Sequence, residues 1–264
     1  MKILTPEEIR TEVRKNYAKV STTSGGCGTT QDSSCCAPNL DAKETSSKLG
    51  YSSDELNQVP DNSNLGLGCG NPQAIANLKV GETVVDLGSG AGFDTFLAAK
   101  AVGETGRVIG VDMTPEMIDK ARKNSAQQGY RNVEFRLGEI ENLPVRDNSV
   151  DVIISNCVIN LSPEKEKVLQ DSFRVLRPGG RLAISDVITT AELPDDIKKD
   201  LDLFSGCVSG TESSSFLEKI LQRAGFTEIS IKAKDDSRDF LKDWVPGRNI
   251  QDYIVSATIE ATKP

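Results

Sequence analysis

The chain contains no histidine. Histidine is the side chain that most often moves protons near neutral pH, so a Ser-His-Asp triad and a histidine-ligated metal site are both excluded. No apolar run approaches the roughly 20 residues that a membrane-spanning helix needs. The amino-terminal letters MKILTPEEIR also lack the charged-then-apolar pattern of a signal peptide. These absences predict a cytoplasmic protein with no membrane partner.

The chain has fewer basic than acidic residues. Lysine and arginine number 31 against 39 acidic residues, which gives a net charge of -8 and a pI near 4.9. Such a surface is poorly suited to neutralising phosphates, and no cluster of basic and aromatic residues offsets it. We therefore expect no nucleic-acid partner and a small-molecule substrate. No strong exposed apolar pattern is evident, so we expect a monomer.

Apolar runs and helical patterns alternate along most of the chain. The runs cover residues 84–87, 108–111, 133–135, 150–154 and 182–184, and helices are predicted from about residues 93, 114 and 162. This alternation predicts an α/β fold with a doubly wound, mostly parallel sheet. Helices near 193–203 and 216–224, followed by strands near 229–232 and 253–259, are expected to complete a seven-stranded sheet.

Three regions are expected along the chain. Residues 1–70 form an amino-terminal helical and loop appendage, which opens with a capping box at Thr5-Pro6-Glu7-Glu8. Residues 71–187 form the cofactor-binding α/β domain. Residues 188–264 carry a substrate-binding insertion and the last strands. Within the first region, residues 21–39 are rich in Ser, Thr and Gly and have too few apolar residues to fold alone.

The turn after the first predicted strand is the place where an open parallel sheet binds its ligand. That turn reads Gly88-Ser89-Gly90-Ala91-Gly92 and follows Asp86. Asp112 ends the second strand, where a carboxylate can accept hydrogen bonds from both ribose hydroxyls, and Asp86 can favour an ammonium group. A glycine-rich turn is weak evidence by itself: these glycines could serve only a tight turn, and Asp112 could only cap the next helix.

Taken together, the segments VVDLGSGAGFD, VIGVDM, GEIENLP and LRPGG resemble the serial motifs of class I S-adenosylmethionine-dependent methyltransferases. The resemblance implies S-adenosylmethionine as cofactor, with its ribose on Asp112 and its adenine against Met113. It also implies that Glu139 and the amide of Ile140 meet the adenine edge, and that Gly88 and Asn156 line the methionine end. Glu139 could instead be a solvated loop acid.

Six cysteines are present, and a reducing cytosol would keep them from forming permanent disulfides. Cys157 directly follows the fourth strand, while Cys69 and Cys207 each lie in a glycine-bracketed loop. An isolated cysteine is usually a small buried hydrophobe. We expect Cys69 on an exposed, flexible turn, and three exposed thiols from separate loops indicate a convergent site for a soft ligand.

The segments NLGLGCGNP, SNCVINL, SDV and SGCVSG resemble the arsenite methyltransferase family. This resemblance implies that Cys69, Cys157 and Cys207 hold trivalent arsenic, supplied as arsenite or its thiol conjugates. It also implies a further redox cysteine in the amino-terminal segment, where Cys35, Cys36 and Cys27 all remain possible. Arsenic keeps a lone pair that can attack a methyl group without a general base, which agrees with the absence of histidine.

Forming the new bond would take arsenic formally to the pentavalent state, and nearby thiols would restore the trivalent state by becoming a disulfide. A disulfide formed by Cys69 would pass to Cys35 or Cys36 and be reduced by thioredoxin or a small thiol. Two other functions stay open from the sequence. One is a methyltransferase acting on a quinone ring or a sterol carbon, with the cysteines as bystanders. The other is a thiol protein that binds a metalloid without turnover.

Overall fold

The computed structural model describes residues 5–22, 41–245 and 247–264. Cys27, Cys35 and Cys36 lie outside these ranges. The helices are α1 Pro6–Thr22, α2 Ala42–Lys48, α3 Ser53–Asn57, α4 Gln73–Ala76, α5 Phe93–Val102, α6 Pro115–Gln128, α7 Lys165–Val175, α8 Asp195–Lys198, α9 Leu201–Ser205, α10 Ser214–Ala224 and α11 Arg238–Leu241. The strands are β1 Thr83–Leu87, β2 Arg107–Asp112, β3 Val133–Leu137, β4 Val150–Asn156, β5 Leu176–Thr189, β6 Glu212–Ser213, β7 Thr227–Lys234 and β8 Ile254–Thr262. No helix in the described ranges is both long and apolar enough to cross a bilayer.

Seven strands form one sheet in the order β3-β2-β1-β4-β5-β8-β7. The pairs from β3 to β5 are parallel, whereas β8 runs antiparallel to both β5 and β7. The two-residue strand β6 pairs with β5 as an eighth member that the sequence pattern did not indicate. The predicted doubly wound, mostly parallel seven-stranded sheet is therefore confirmed.

Successive residues of β1 pack into opposite layers. Val84 belongs to a cluster with Ala98 of α5, while Val85 belongs to one with Val168 of α7. Both valines are fully buried. A strand covered by helices on both faces reads as a continuous apolar run, which is why these strands were recognisable in the sequence.

Helix α1 begins at the predicted capping box. The Thr5 hydroxyl accepts a hydrogen bond from the Glu8 amide at 3.2 Å, and the Glu8 carboxylate accepts one from the Thr5 amide at 2.8 Å. The helix packs against both α6 and α9, and Val13 and Tyr17 join the apolar cluster that contains the three described cysteines. In this position α1 bridges the α/β domain and the loop that follows α9.

The helical segment expected near residues 193–203 consists of two short helices, α8 and α9. Asp200 lies between them and caps α9, since its carboxylate accepts hydrogen bonds from the amides of Asp202 and Leu203 at 3.0 and 3.2 Å. An aspartate that bonds the backbone in this way competes with helix continuation. The break places Cys207 in the turn directly after α9.

Candidate active site

A cavity of about 1230 Å³, counted with its open mouth, lies at the carboxyl ends of the parallel strands. The strand order reverses around β1, whose neighbours are β2 and β4. This reversal is the switch point where open α/β sheets bind ligands. Residues from the turn after β1, the ends of β2 and β4, helix α1 and the loop after α9 line the cavity. The cavity therefore lies at the end of the sheet where the sequence predicted the ligand site.

The glycine-rich turn forms one wall. Gly88, Ser89 and Gly90 line the cavity, whereas Gly92 caps α5 and is not on the wall. Gly88 has a φ of 65°, and a Cβ there would lie 2.4 Å from Val158, so only glycine fits. The buried Ser89 hydroxyl has no hydrogen-bond partner.

Asp112 accepts a hydrogen bond from the glycine-rich turn and also lies on the cavity wall. Its carboxylate accepts hydrogen bonds from the Gly90 amide at 2.9 Å and from the Thr114 amide at 2.8 Å. Asp112 therefore fixes the start of α6, which is the helix-capping role that the sequence left open for this residue. Asp112 also lies on the cavity wall next to Met113, with Ile140 on the wall as well.

Glu139 is not on the cavity wall. Its carboxylate lies 3.5 Å from Arg10 Nε and 3.2 Å from Arg14, both on α1. Arg10 and Glu141 line the cavity instead. Arg10 carried no signal in the sequence, because its role comes only from the docking of α1 over the cavity.

Two buried acids face the cavity without a basic partner. The Asp86 carboxylate accepts the Thr95 hydroxyl at 2.6 Å, and the Asp94 carboxylate accepts the Tyr51 hydroxyl at 2.7 Å. Burial, together with the charges of Asp94 and Asp112, raises the pKa of Asp86 well above its usual value. Burial also raises the pKa of Asp94 to about 6. Such a pair favours a cationic ligand, because a positive charge would restore the ionised forms.

All three described cysteines are buried. Their exposed fractions are 3% for Cys69, 6% for Cys157 and 4% for Cys207. The expectation of exposed thiols, and of an exposed flexible turn at Cys69, is wrong. Gly68 explains why: with a φ of 124°, a Cβ there would lie 2.7 Å from the Asn156 side chain. The glycine permits close packing of the loop rather than exposure.

The three thiols nevertheless converge as predicted. The sulfurs of Cys69 and Cys157 and a carboxylate oxygen of Asp186 all lie within 4.8 Å of one another. The Cys207 thiol donates to the Cys157 backbone carbonyl at 2.9 Å, and the Cys157 thiol interacts with both other thiols. Cys157 and Cys207 line the cavity; Cys69 lies behind its wall.

The backbone at two of these cysteines is strained. Cys157 has a φ of 58° and Cys207 a φ of 61°. This left-handed region is uncommon for residues other than glycine and costs free energy. Such strain collects at functional sites, where the surrounding structure holds it in place.

Burial keeps the thiols protonated. It raises the pKa of Cys69 to about 11 and raises that of Cys157 well above its usual value. The pKa of Cys207 is also well raised, first by its hydrogen bond to Cys157 and then by burial. Three neutral thiols avoid the large cost of placing adjacent anions in an apolar interior.

Besides Arg10, sequence reasoning missed three further side chains at this site. Asp94 stands in a quoted motif, but an acid in the first turn of a helix has an ordinary dipole explanation. Asp186 accepts hydrogen bonds from the amides of Ile159 and Val187 at 3.0 and 2.8 Å, so it fixes the segment after Cys157. Tyr51 precedes α3 far from any motif and gave no signal.

Comparisons with known proteins agree with this geometry. Residues 78–225 match the family described as a methyltransferase domain. An arsenite methyltransferase of Halobacterium salinarum is 54% identical over 98% of this chain and 68% of its own length. An arsenite methyltransferase of Aquipseudomonas alcaligenes is 39% identical over 82% of this chain and 61% of its own length.

A solved structure is similar as well. The crystal structure of an arsenic(III) S-adenosylmethionine methyltransferase from Chlamydomonas reinhardtii superposes with a TM-score of 0.63 at 33% identity. The match covers 86% of this chain and 75% of that one. The chain therefore belongs to the arsenite methyltransferases, a family of S-adenosylmethionine-dependent enzymes.

Proposed function

We propose that this enzyme transfers methyl groups from S-adenosylmethionine to trivalent arsenic held by Cys69, Cys157 and Cys207. One observation carries the proposal. Three buried thiols meet beside a cavity whose wall also carries two acids, Asp86 and Asp94, that lack a basic partner. A soft-ligand site and a site for a cationic ligand thus share one cavity.

The residues present fit the methyl donor. Asp112 would hold the ribose hydroxyls, and Met113 and Ile140 would flank the adenine. Asp86 and Asp94 would receive the ammonium group, which supplies the positive charge that these acids lack. Bound there, S-adenosylmethionine supplies an electrophilic methyl group on a positively charged sulfur.

Protonated thiols suit the loading of arsenite. For each ligand, an As–S bond replaces an As–O bond, and the thiol proton leaves with the hydroxide as water. The exchange creates no net charge, so the raised pKa values of the three thiols do not oppose it. Sulfur ligands also select a soft centre such as trivalent arsenic over harder ions.

No general base is needed for the transfer itself, because arsenic forms the new As–C bond with its own lone pair. The chain's contribution is alignment and the exclusion of water. Val13, Leu161 and Trp244 line the cavity near the thiols and are mostly buried. Their apolar surface would keep water away from the reacting centre.

The transfer takes arsenic formally from the trivalent to the pentavalent state, so two electrons must be returned. We propose that two of the arsenic-bound sulfurs, that of Cys69 among them, join in a disulfide: two As–S bonds break, one S–S bond forms, and the remaining electron pair returns arsenic to the trivalent state. No thiol proton is released in this step, because those protons left as water during loading. Cys35 or Cys36, which lie outside the described residues, would accept the disulfide by exchange. Thioredoxin or a small thiol would then reduce it, since exchange favours accessible sulfurs. A reducing compartment such as the cytoplasm suits this cycle.

Product analysis tests the proposal. The wild-type enzyme is incubated with S-adenosylmethionine, arsenite and a thioredoxin system, and arsenic species are identified by mass spectrometry. We expect methylated arsenic from the wild type and none from Cys157→Ser. A wild type that binds arsenite without methylating it would instead be a metalloid-binding protein.

A further inference from the structure

Asn156 connects the loop that carries Cys69 to the buried acid Asp94. It ends β4, and its side chain reaches the loop that carries Cys69. The Asn156 carbonyl accepts the Cys69 amide at 3.0 Å, and its amide nitrogen donates to the Gly70 carbonyl at 2.8 Å. One side chain thus fixes the backbone on both sides of the Cys69 sulfur.

The same amide nitrogen also contacts Tyr51 and Asp94. It lies 3.0 Å from the Tyr51 hydroxyl and 3.3 Å from the Asp94 carboxylate. The Tyr51 hydroxyl in turn donates to the other Asp94 oxygen at 2.7 Å. An amide nitrogen has only two hydrogens, so Gly70, Tyr51 and Asp94 compete for them.

Tyr51 is the middle member of this network and does not line the cavity. It is 3% exposed, and its ring packs on Phe93 at 4.8 Å between centroids. Its hydroxyl has no access to a ligand. It can only transmit the state of the Asp94 carboxylate to Asn156.

We propose that Tyr51 is a positioning residue that couples cofactor binding at Asp94 to the placement of Cys69 for arsenic. This inference rests on the proposed function. When a cation occupies the cavity, Asp94 directs its lone pairs to that cation and loses its long hydrogen bond with Asn156. The Asn156 amide is then free for Gly70 and for Tyr51, which holds it in line. The Cys69 loop is thereby fixed in the position in which its sulfur can share arsenic with Cys157.

Coupling of this kind is reciprocal and measurable. The test uses S-adenosylhomocysteine, which carries the ammonium group but no methyl group to transfer. Arsenite affinity is measured by equilibrium dialysis with and without saturating S-adenosylhomocysteine, for the wild type, Tyr51→Phe and Tyr130→Phe. The last variant is the matched control, because Tyr130 is partly buried against Phe96 with ring centroids 4.7 Å apart and does not line the cavity.

In the wild type and in Tyr130→Phe we expect S-adenosylhomocysteine to tighten arsenite binding about fivefold or more, within the usual range of such couplings. In Tyr51→Phe we expect that factor to fall below about twofold. Its arsenite affinity without S-adenosylhomocysteine should remain near that of the wild type. A purely structural role would instead weaken binding with and without S-adenosylhomocysteine alike.

Retention of the full factor in Tyr51→Phe, or its loss in both variants, would overturn the proposal. A wild type that binds arsenite with no coupling overturns this inference alone, whereas a wild type that does not bind arsenite removes the proposed function as well. If Tyr51→Phe fails to fold, hydrogen exchange of the wild type decides. S-adenosylhomocysteine should slow exchange of the Cys69 amide, and unchanged exchange contradicts the proposal.

Discussion

The thiol of Cys207 donates a hydrogen bond to the backbone carbonyl of Cys157 across 2.9 Å, although 50 positions separate the two residues. Both residues have a left-handed backbone conformation. The contact joins the end of β4 to the loop after α9, so the cluster of three thiols is held together by tertiary structure and not by a local sequence motif.

Replacing either of these thiols by a hydroxyl should weaken the binding of arsenite. In Cys157→Ser and in Cys207→Ser we expect the dissociation constant for arsenite to rise at least about tenfold, because oxygen is a poor ligand for a soft centre. The emission of Trp244, the single tryptophan, reports binding, since this residue lines the cavity.

Cys27→Ser is the matched control for this experiment and should keep the wild-type affinity for arsenite. Binding of S-adenosylhomocysteine should stay within about twofold in all three variants, because Asp112 and its hydrogen bonds are untouched. Wild-type arsenite affinity in both Cys157→Ser and Cys207→Ser would show that the thiols are bystanders.

The proposed relay makes a kinetic prediction. The double variant Cys35→Ser with Cys36→Ser should bind arsenite normally and complete a first turnover, yet slow markedly in multiple turnover, because its disulfide cannot be passed on. Single-turnover and steady-state rates, followed by product analysis, measure the two phases separately. Unchanged steady-state rates would remove the relay from the mechanism.

Cofactor affinity should depend on pH through Asp94. Burial raises the pKa of this carboxyl to about 6, and a cation binds only its ionised form well. Lowering the pH from 7 to 5 protonates Asp94, so we expect the dissociation constant of S-adenosylhomocysteine to rise about tenfold. Calorimetric titrations across this range give the profile. Asp94→Asn should bind more weakly at pH 7 and show a flat profile, and an equally steep profile in that variant would assign the effect elsewhere.

Asp186 should matter chiefly for stability. Its carboxylate accepts four hydrogen bonds, from the amides of Ile159, Asn160 and Val187 and from the Asn160 side chain. Asp186→Ala leaves these donors unpaired and should lower the free energy of unfolding by about 2–4 kcal/mol. Urea denaturation measures the change.

Two controls accompany that variant. Asp186→Asn keeps one acceptor oxygen and should lose less stability. Asp195→Ala removes an exposed acid whose ion pair with Lys199 lies on the surface, so its effect on stability should be much smaller than that of Asp186→Ala. Equal losses in Asp186→Ala and Asp195→Ala would contradict the structural role of Asp186.

The sequence predicted those features that repeat along the chain or lie within one short segment. Strands such as β1 are visible in the sequence as apolar runs, and the capping box of Thr5 and Glu8 is a local signal for the start of α1. The turn after β1 was recognised by its glycines. The observed sheet order then places that turn at the switch point.

Features that depend on tertiary packing were not predictable in the same way. The glycines beside Cys69 were interpreted as a sign of exposure, but Gly68 lets the loop pack against Asn156. Arg10 and Tyr51 belong to no motif, and each contacts a residue that is distant in the chain, Glu139 for Arg10 and Asp94 for Tyr51. Their roles arise only when α1 and the segment before α3 close around the cavity.

Arsenic K-edge X-ray absorption of the arsenite-loaded enzyme counts the sulfurs bound to arsenic. We expect three sulfur ligands in the wild type and two in Cys157→Ser or Cys207→Ser when arsenite is supplied in excess. A shell of oxygen alone in the wild type, or an unchanged sulfur count in both variants, would contradict a site built from Cys69, Cys157 and Cys207.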